Sequence, residues 1–297
     1  MKLLAVRLSA LGDVMHAIPA VTSLRSSFDV SWVVEAPYAE LVETVAGVRA
    51  VPVRLKKFSV GEVRNAWRTV RSFDIAVDFQ GLLKSAAIAR ASGASDRYGF
   101  AREAVREKPA ALFYNHKIKV DQTRHVVDWN LQLAQAVTGN RQPETGNWSD
   151  YAQDARNRLH GLRNKIVLLP GAGREEKLWP VDRFRDLVAR YGNRAVVVSG
   201  PGERDLATAI GGLIAPETNL RELAFLLKHA DIVIGADTGP LHLADALGTK
   251  VVGLYGPTDP ARNGPYGQLH HTIRRSKTMD SITAAEVIKR IEEELAE

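Results

Sequence analysis

The 297 residues contain no cysteine. Disulfide frameworks, thiol catalysis and zinc–thiolate sites are therefore excluded. Long apolar runs are missing too: none approaches the roughly 18–20 uncharged residues that a membrane-spanning helix needs. The stretch Met1–Arg7 is apolar for a few residues and then meets a charge. It reads as a first strand, not a secretory signal, and the expected compartment is the cytoplasm. Compositional extremes are also absent. With 45% hydrophobic and 25% charged residues, extensive disorder is excluded. At roughly 150 residues per domain the length suggests two domains, each able to bury its own core.

Charge is present but unevenly placed. Residues 1–150 carry 20 Lys and Arg against 15 Asp and Glu, whereas residues 151–297 carry 20 against 19. The net charge of +6 thus lies almost wholly in the first half. A basic half suits a nucleic acid, a phosphorylated small molecule, an anionic membrane surface, or solubility alone. The aromatic–basic interleaving of nucleic-acid grooves is missing, so no nucleic acid is expected as a partner.

Hydrophobic periodicity alternates between strand and helix along the chain. Strands are predicted at Leu3–Leu8, Val30–Val34, Val48–Val53 and Ile75–Phe79. Helical spacing fills the gaps: Val14, Ile18, Val21 and Leu24, then Tyr38–Val45, Glu62–Val70 and Leu82–Ala91. The pattern resumes with strands at Lys165–Leu169, Ala195–Ser199, Ile232–Gly235 and Val251–Leu254. Helices are predicted at Val181–Arg190, Glu203–Gly211, Leu220–Lys228, Pro240–Leu247 and Thr283–Ala296. Between the halves, Thr138–Ser149 is rich in Gly, Asn and Pro, a linker composition. The predicted class is α/β, with two doubly wound, Rossmann-like domains facing a cleft, residues 1–148 and 149–297. In such sheets ligands sit at the carboxyl ends of strands, so chemistry is sought in the strand-to-helix turns.

Four turns stand out. Arg7–His16 places Asp13 in a first helical turn, either as a helix-stabilising acid or as a general base. Asp78–Ser85 ends a hydrophobic strand in D-F-Q-G, read as a capping and turn device. Pro170–Pro180 joins a Gly-rich loop to Lys177 and Trp179-Pro180. It is neither a Walker loop nor a dinucleotide fingerprint, so Lys177 is either a phosphate contact or a solvated surface charge. In Gly235–Ala244 a buried strand runs into Asp237-Thr238-Gly239 with Pro240 at the helix start, a ready anion site. His242 lies one turn further. No Asp-x-Asp pair, which many nucleotide-sugar enzymes use to hold a divalent ion, occurs in the chain, and no metal site is expected. His125, His270 and His271 are too isolated to form one.

Taken together, L-G-D-V-x-H-A-I-P-A (11–20), D-F-Q-G-L-L-K-S-A (78–86), P-G-A-G-R-x-x-K-x-W-P (170–180) and D-T-G-P-L-H-L-A (237–244), followed by Y-G-P-T-D-P (255–260), resemble the bacterial ADP-heptose:lipopolysaccharide heptosyltransferases of glycosyltransferase family 9. The blocks occur in the family's order over nearly the whole chain. Phe100–Glu103, Leu112–Asn115 and Val33–Glu35 resemble the heptosyltransferase I branch. The resemblance implies a GT-B fold and inverting, metal-independent transfer of heptose from ADP-heptose to Kdo of a lipid A acceptor, with no cofactor. An acceptor-binding first domain, a nucleotide-sugar-binding second domain and a peripheral position on the inner face of the inner membrane follow. By the same resemblance Asp13 is the catalytic base. Lys177, Asp237, Thr238, Gly239, His242, Ala172, Gly173, Glu203 and Thr218 are donor-side residues. Arg54, Lys56, Lys57 and Arg102 are acceptor-side residues, and the final helix is expected to pack back on the first domain. The basic loop 54–57 is thinner than the family pattern, and Ala172-Gly173 replaces hydroxyl side chains. These departures keep a heptosyltransferase II-like alternative open, with another nucleotide sugar or acceptor. A nucleotide-sugar epimerase of similar architecture is a further alternative.

Overall fold

The computed structural model describes residues 1–54, 70–139, 148–151 and 158–296. The chain divides into two compact units, Met1–Asn147 and Trp148–Glu297. The first contains β1 (Lys2–Val6), α1 (Leu11–Leu24), β2 (Asp29–Glu35), α2 (Ala39–Val45), β3 (Arg49–Val53), β4 (Ile75–Asp78), α3 (Leu83–Ala91), β5 (Asp96–Phe100), β6 (His116–Ile118) and α4 (Val126–Thr138). Its six strands are parallel in the order β3-β2-β1-β4-β5-β6. Central β1 pairs Leu3 with Val30 on one side and with Ile75 on the other. Leu3, Leu4, Ala5 and Val6 are wholly buried. Helices cover both faces of such a sheet, so its central strands read as unbroken apolar runs. Each Leu or Val so buried contributes about 1.5–3 kcal/mol of transfer free energy. The predicted helix over 62–70 lies, apart from Val70, outside the described residues.

The second unit contains β7 (Ile166–Leu169), α5 (Val181–Tyr191), β8 (Ala195–Val197), α6 (Arg204–Ile210), β9 (Leu213–Ile214), α7 (Leu220–Lys228), β10 (Ile232–Ala236), α8 (Gly239–Ala246), β11 (Val251–Tyr255), β12 (Thr272–Arg274) and α9 (Ala284–Ala296). The sheet is again parallel, in the order β12-β11-β10-β7-β8-β9. Counted from its own first strand, it has the same order as the first sheet, read from the opposite edge. Residue Thr283 caps α9 reciprocally: its hydroxyl accepts from Glu286 N (3.3 Å) while Glu286 Oε2 accepts from Thr283 N (3.0 Å). This capping box starts the helix where the sequence reading begins it. The buried face of α9, with Val287 and Ile291, belongs to the core of this second unit, alongside Ile166 and Trp179. The indole of Trp179 donates to Ile282 O at 3.0 Å.

The turn at the end of β4 ties the first unit together. The fully buried Asp78 carboxylate accepts from Gln80 N (2.8 Å), Gly81 N (3.1 Å), Ser85 Oγ (2.7 Å) and Tyr114 Oη (2.6 Å). Gln80 Oε1 accepts in turn from Leu8 N at 2.8 Å, joining this turn to the end of β1. The Tyr114 ring crosses Gly99 of β5 so closely that a Cβ there would sit 2.4 Å from the ring. Burial and the Asp78 charge push the Tyr114 phenol up, so it remains a donor. The D-F-Q-G block is therefore the capping device that its sequence suggests.

This network makes a pH-dependent prediction. Burial raises the Asp78 carboxyl against the pull of its four donors. A carboxyl raised on folding stabilises below its folded pKa and loses that contribution as pH rises through it. The substitution Tyr114→Phe removes one donor, raises the carboxyl further and costs about 1–3 kcal/mol at neutral pH. The deficit, read by urea unfolding, shrinks in mildly acidic buffer. A deficit constant with pH would assign the loss to packing alone.

Candidate active site

A doubly wound sheet binds ligands where strand order reverses, beyond the carboxyl ends of the two strands that flank the reversal. In the first unit those strands are β1 and β4; in the second they are β7 and β10. The four sequence blocks are the four turns that leave these strands.

In the first unit, Asp13 stands in the first turn of α1, whose N-cap residue, Ala10, offers no side-chain cap. Its carboxylate is held by two guanidinium groups. Arg7 Nη2 lies 2.6 Å from Oδ1, and Arg106 Nη1 lies 3.1 Å from Oδ2. The Arg7 side chain is buried and also donates from Nη1 to the carbonyl of Phe79. Burial pulls its guanidinium below the usual value and Asp13 pulls it back up. The Arg7 backbone carbonyl accepts from Trp32 Nε1 at 3.0 Å. The two pairs differ in kind, because Arg7 is enclosed whereas the side chain of Arg106 is 56% exposed. An exposed pair of that sort contributes about 0–1 kcal/mol, so Arg106 is free to exchange partners.

The sequence reading assigned no role to either arginine. Arg7 carried a usable signal, since a cation closing a buried strand requires a counter-charge. Arg106 carried none, because it lies in a polar stretch. Of the acceptor-side residues named from sequence, Arg54 is exposed just after β3 and Arg102 is exposed after β5. It is Arg106, not Arg102, that contacts Asp13. Lys56 and Lys57 lie outside the described residues.

In the second unit, Asp237 follows β10 and is shared by two donors. Lys177 Nζ lies 2.7 Å from Oδ2 and also donates to the Asp237 carbonyl at 3.2 Å. His242 Nε2 lies 3.1 Å from Oδ1. Burial raises the Asp237 carboxyl, but His242 and then Lys177 outweigh it and hold the group at about 2. Residue Thr238 is the N-cap of α8, with Gly239 and Pro240 opening the helix. Its side chain makes no cap hydrogen bond, and its buried hydroxyl has no partner among the described residues. The first-turn N–H groups and the Thr238 hydroxyl thus stand beside a lysine, an arrangement suited to an anion.

The other residues read from the sequence as donor-side lie in the turns after β7, β8 and β9. The Glu203 carboxylate accepts from Gly200 N at 2.8 Å and packs over Gly171, where a Cβ would lie 2.0 Å from Oε2. It thereby joins the turns after β7 and β8. A Cβ on Gly173 would meet nothing within 4 Å. That position opens onto free space, and Ala172 beside it is half-buried. Thr218 is half-buried in the loop between β9 and α7, just before the helix-capping Asn219. Among the described residues no three His, Asp or Glu side chains are grouped as a metal would require.

Comparison with known proteins identifies the family. The model of glycosyltransferase family 9 (heptosyltransferase) matches residues 63–289. The chain is 29% identical over its whole length to lipopolysaccharide heptosyltransferase 1 of Escherichia coli O18:K1:H7, covering 98% of that protein. It superposes on the E. coli heptosyltransferase WaaC with ADP at a TM-score of 0.84 and 28% identity, covering 99% of this chain and all of that one. For WaaC with ADP-2-deoxy-2-fluoro heptose the values are 0.82 and 27%, covering 99% of both chains. These matches decide for a transferase over the epimerase alternative. With two parallel six-stranded α/β units carrying the four motif turns at their switch points, the chain belongs to glycosyltransferase family 9, the heptosyltransferases.

Proposed function

We propose that this enzyme moves heptose from ADP-heptose to a Kdo hydroxyl of a lipid A inner-core acceptor, inverting the anomeric centre without a divalent ion. The observation that carries this reading is the location of all four motif turns at the two switch points. Likeness to a heptosyltransferase bound to a fluorinated ADP-heptose supports the donor. The acceptor oxygen attacks the anomeric carbon, the bond to the β-phosphate oxygen breaks, and ADP leaves with the bonding pair. The hydroxyl proton passes to Asp13.

The geometry supports roles for Arg7, Arg106, Lys177 and Asp237, and the family resemblance suggests the others. The enclosed Arg7 fixes the aim of the Asp13 carboxylate. The exposed Arg106 can move from Oδ2 to the carboxylate of the incoming sugar acid and leave Oδ2 to the hydroxyl. Lys177 and the N-terminus of α8 at Thr238-Gly239 receive the charge that builds on the departing diphosphate. Asp237 and His242 hold Lys177 in place. Glu203 and Thr218 serve the ribose and adenine, and Ala172 and Gly173 offer backbone N–H groups to the phosphates. Arg54, Lys56, Lys57 and Arg102 supply positive charge toward the phosphorylated acceptor. No described helix is long and apolar enough to cross a membrane, and the enzyme acts as a peripheral protein on the inner face of the inner membrane. The open space at Gly173 favours a second reading in which a different nucleotide sugar is the donor.

The test follows ADP release from ADP-heptose and Kdo-lipid A with excess chelator present. Turnover that survives chelation is expected. No release above background overturns the reading, and stronger thermal stabilisation by a UDP-sugar than by ADP-heptose moves it to the second donor. The variant Asp13→Asn should lose about 10²- to 10⁴-fold in turnover while binding ADP as the parent does. An unchanged rate removes Asp13 as the base.

The variant Lys177→Met should weaken ADP binding by about tenfold or more, the value of a charged hydrogen bond, as read by calorimetry. It also shifts acid stability. A depressed carboxyl contributes stability above its unfolded pKa and loses it as pH falls through the folded value, here about 2. Without Lys177 the Asp237 carboxyl rises, and acid unfolding begins at higher pH than in the parent. An unmoved acid transition would show that His242 alone holds the carboxylate.

A further inference from the structure

The segment that brings Arg106 to Asp13 also carries a solvent-facing apolar side chain. Leu112 lies in a short 3-10 helix, Lys108–Phe113, and is 80% exposed. Leu83, at the first position of α3, is 43% exposed. The two belong to one packed substructure. Glu107 Oε2 accepts from Leu83 N at 2.6 Å, and Glu107 N donates to Gly81 O at 3.0 Å. That contact turns the Glu107 carboxylate toward the start of α3. On the same segment Arg102 and Lys108 are exposed and pair with no carboxylate among the described residues. A largely exposed leucine costs little alone. Here it shares the segment that reaches the base with the exposed Arg102 and Lys108, and with the exposed Glu103.

We propose that this segment is the contact with an anionic lipid bilayer: Leu112, with Leu83 behind it, enters the headgroup–acyl boundary while Lys108 and Arg102 meet lipid phosphates. This proposal rests on the reading of the enzyme as one that acts on a lipid-anchored acceptor, and names where it touches the membrane. The occupant is fixed by charge complementarity. Exposed cations on the same segment as an exposed apolar side chain match a surface that offers phosphates above hydrocarbon, and residues 1–150 are the basic half of the chain. The coupling is direct, because Arg106 lies six positions before Leu112 and its guanidinium is 3.1 Å from Asp13. A lipid-anchored acceptor would thus meet the base through the same segment that holds the enzyme to its membrane.

The experiment uses the full chain without donor, sedimented with vesicles of phosphatidylcholine alone or mixed with phosphatidylglycerol. The parent should partition onto the phosphatidylglycerol vesicles and lose that binding in high salt. Leu112→Ser and Lys108→Gln should each weaken partitioning by about fivefold or more. Both are surface changes, so turnover of a deacylated, water-soluble acceptor should stay at the parental level. Failure of the parent to bind, or variants that bind as it does, overturns the proposal. So does a dimer in analytical ultracentrifugation that Leu112→Ser dissolves without any vesicle binding, which assigns the segment to a second copy. Turnover of the soluble acceptor is read separately, so loss of the transferase reading and loss of the membrane contact give different results.

Discussion

A parallel strand cannot turn straight back on its neighbour; it must cross over through a connection long enough to hold a helix. Everything functional in this chain depends on that constraint. Each unit satisfies it with the same strand order, and each order reverses once between adjacent central strands, β1 with β4 and β7 with β10. At a reversal the connections leave in opposite directions and the strand ends stand uncovered. Residues distant in sequence, such as Arg7 and Phe79 or Lys177 and Asp237, become neighbours there. Duplication of this arrangement gives one chain two separate places where backbone N–H groups and charged side chains converge.

The carboxylates at those places are handled differently. Asp78 is sealed and surrounded by neutral donors, which suits a part that sets geometry. Asp237 is almost sealed and meets the Lys177 ammonium and the His242 ring, so its charge is firm. Asp13 has one enclosed and one exposed guanidinium, leaving one oxygen open to exchange. Three similar side chains in turns that leave the switch-point strands are thus distinguished by how much water and how much positive charge reach them.

The central strands were legible in the sequence because burial on both faces leaves a continuous apolar run, as in Leu3–Val6, Ile166–Leu169 and Ile232–Ala236. The outer strands β5, β6, β9 and β12 were not, although the edge strand β3 was read at Val48–Val53. β5 (D-R-Y-G-F), β6 (H-K-I), β9 and β12 are short, and β5, β6 and β9 are largely half-buried, which removes the apolar signal. Helix α4 was missed as well. It lies in a polar-flanked stretch and is held partly by Asn130, whose Nδ2 donates to His16 O at 2.9 Å. The turns after β7 and β10 were readable as motifs because glycine, a helix N-terminus and a lysine each have a local reason to occur together. The pairing of Asp13 with Arg106 spans 93 positions, and no local spacing encodes a contact made by two loops of one sheet edge.

The Lys177–Asp237 pair has a consequence for what the second unit will accept. Lys177 carries a tethered counter-ion 2.7 Å away, present at an effective concentration that few solutes reach. A monovalent anion offers nothing that Asp237 does not already supply, and it must also displace a resident. A polyanion brings more charge and can engage the α8 N-terminus at the same time. Any anion that approaches Lys177 must therefore compete with Asp237 for it. The pair also spares the fold a half-buried, unmatched ammonium group.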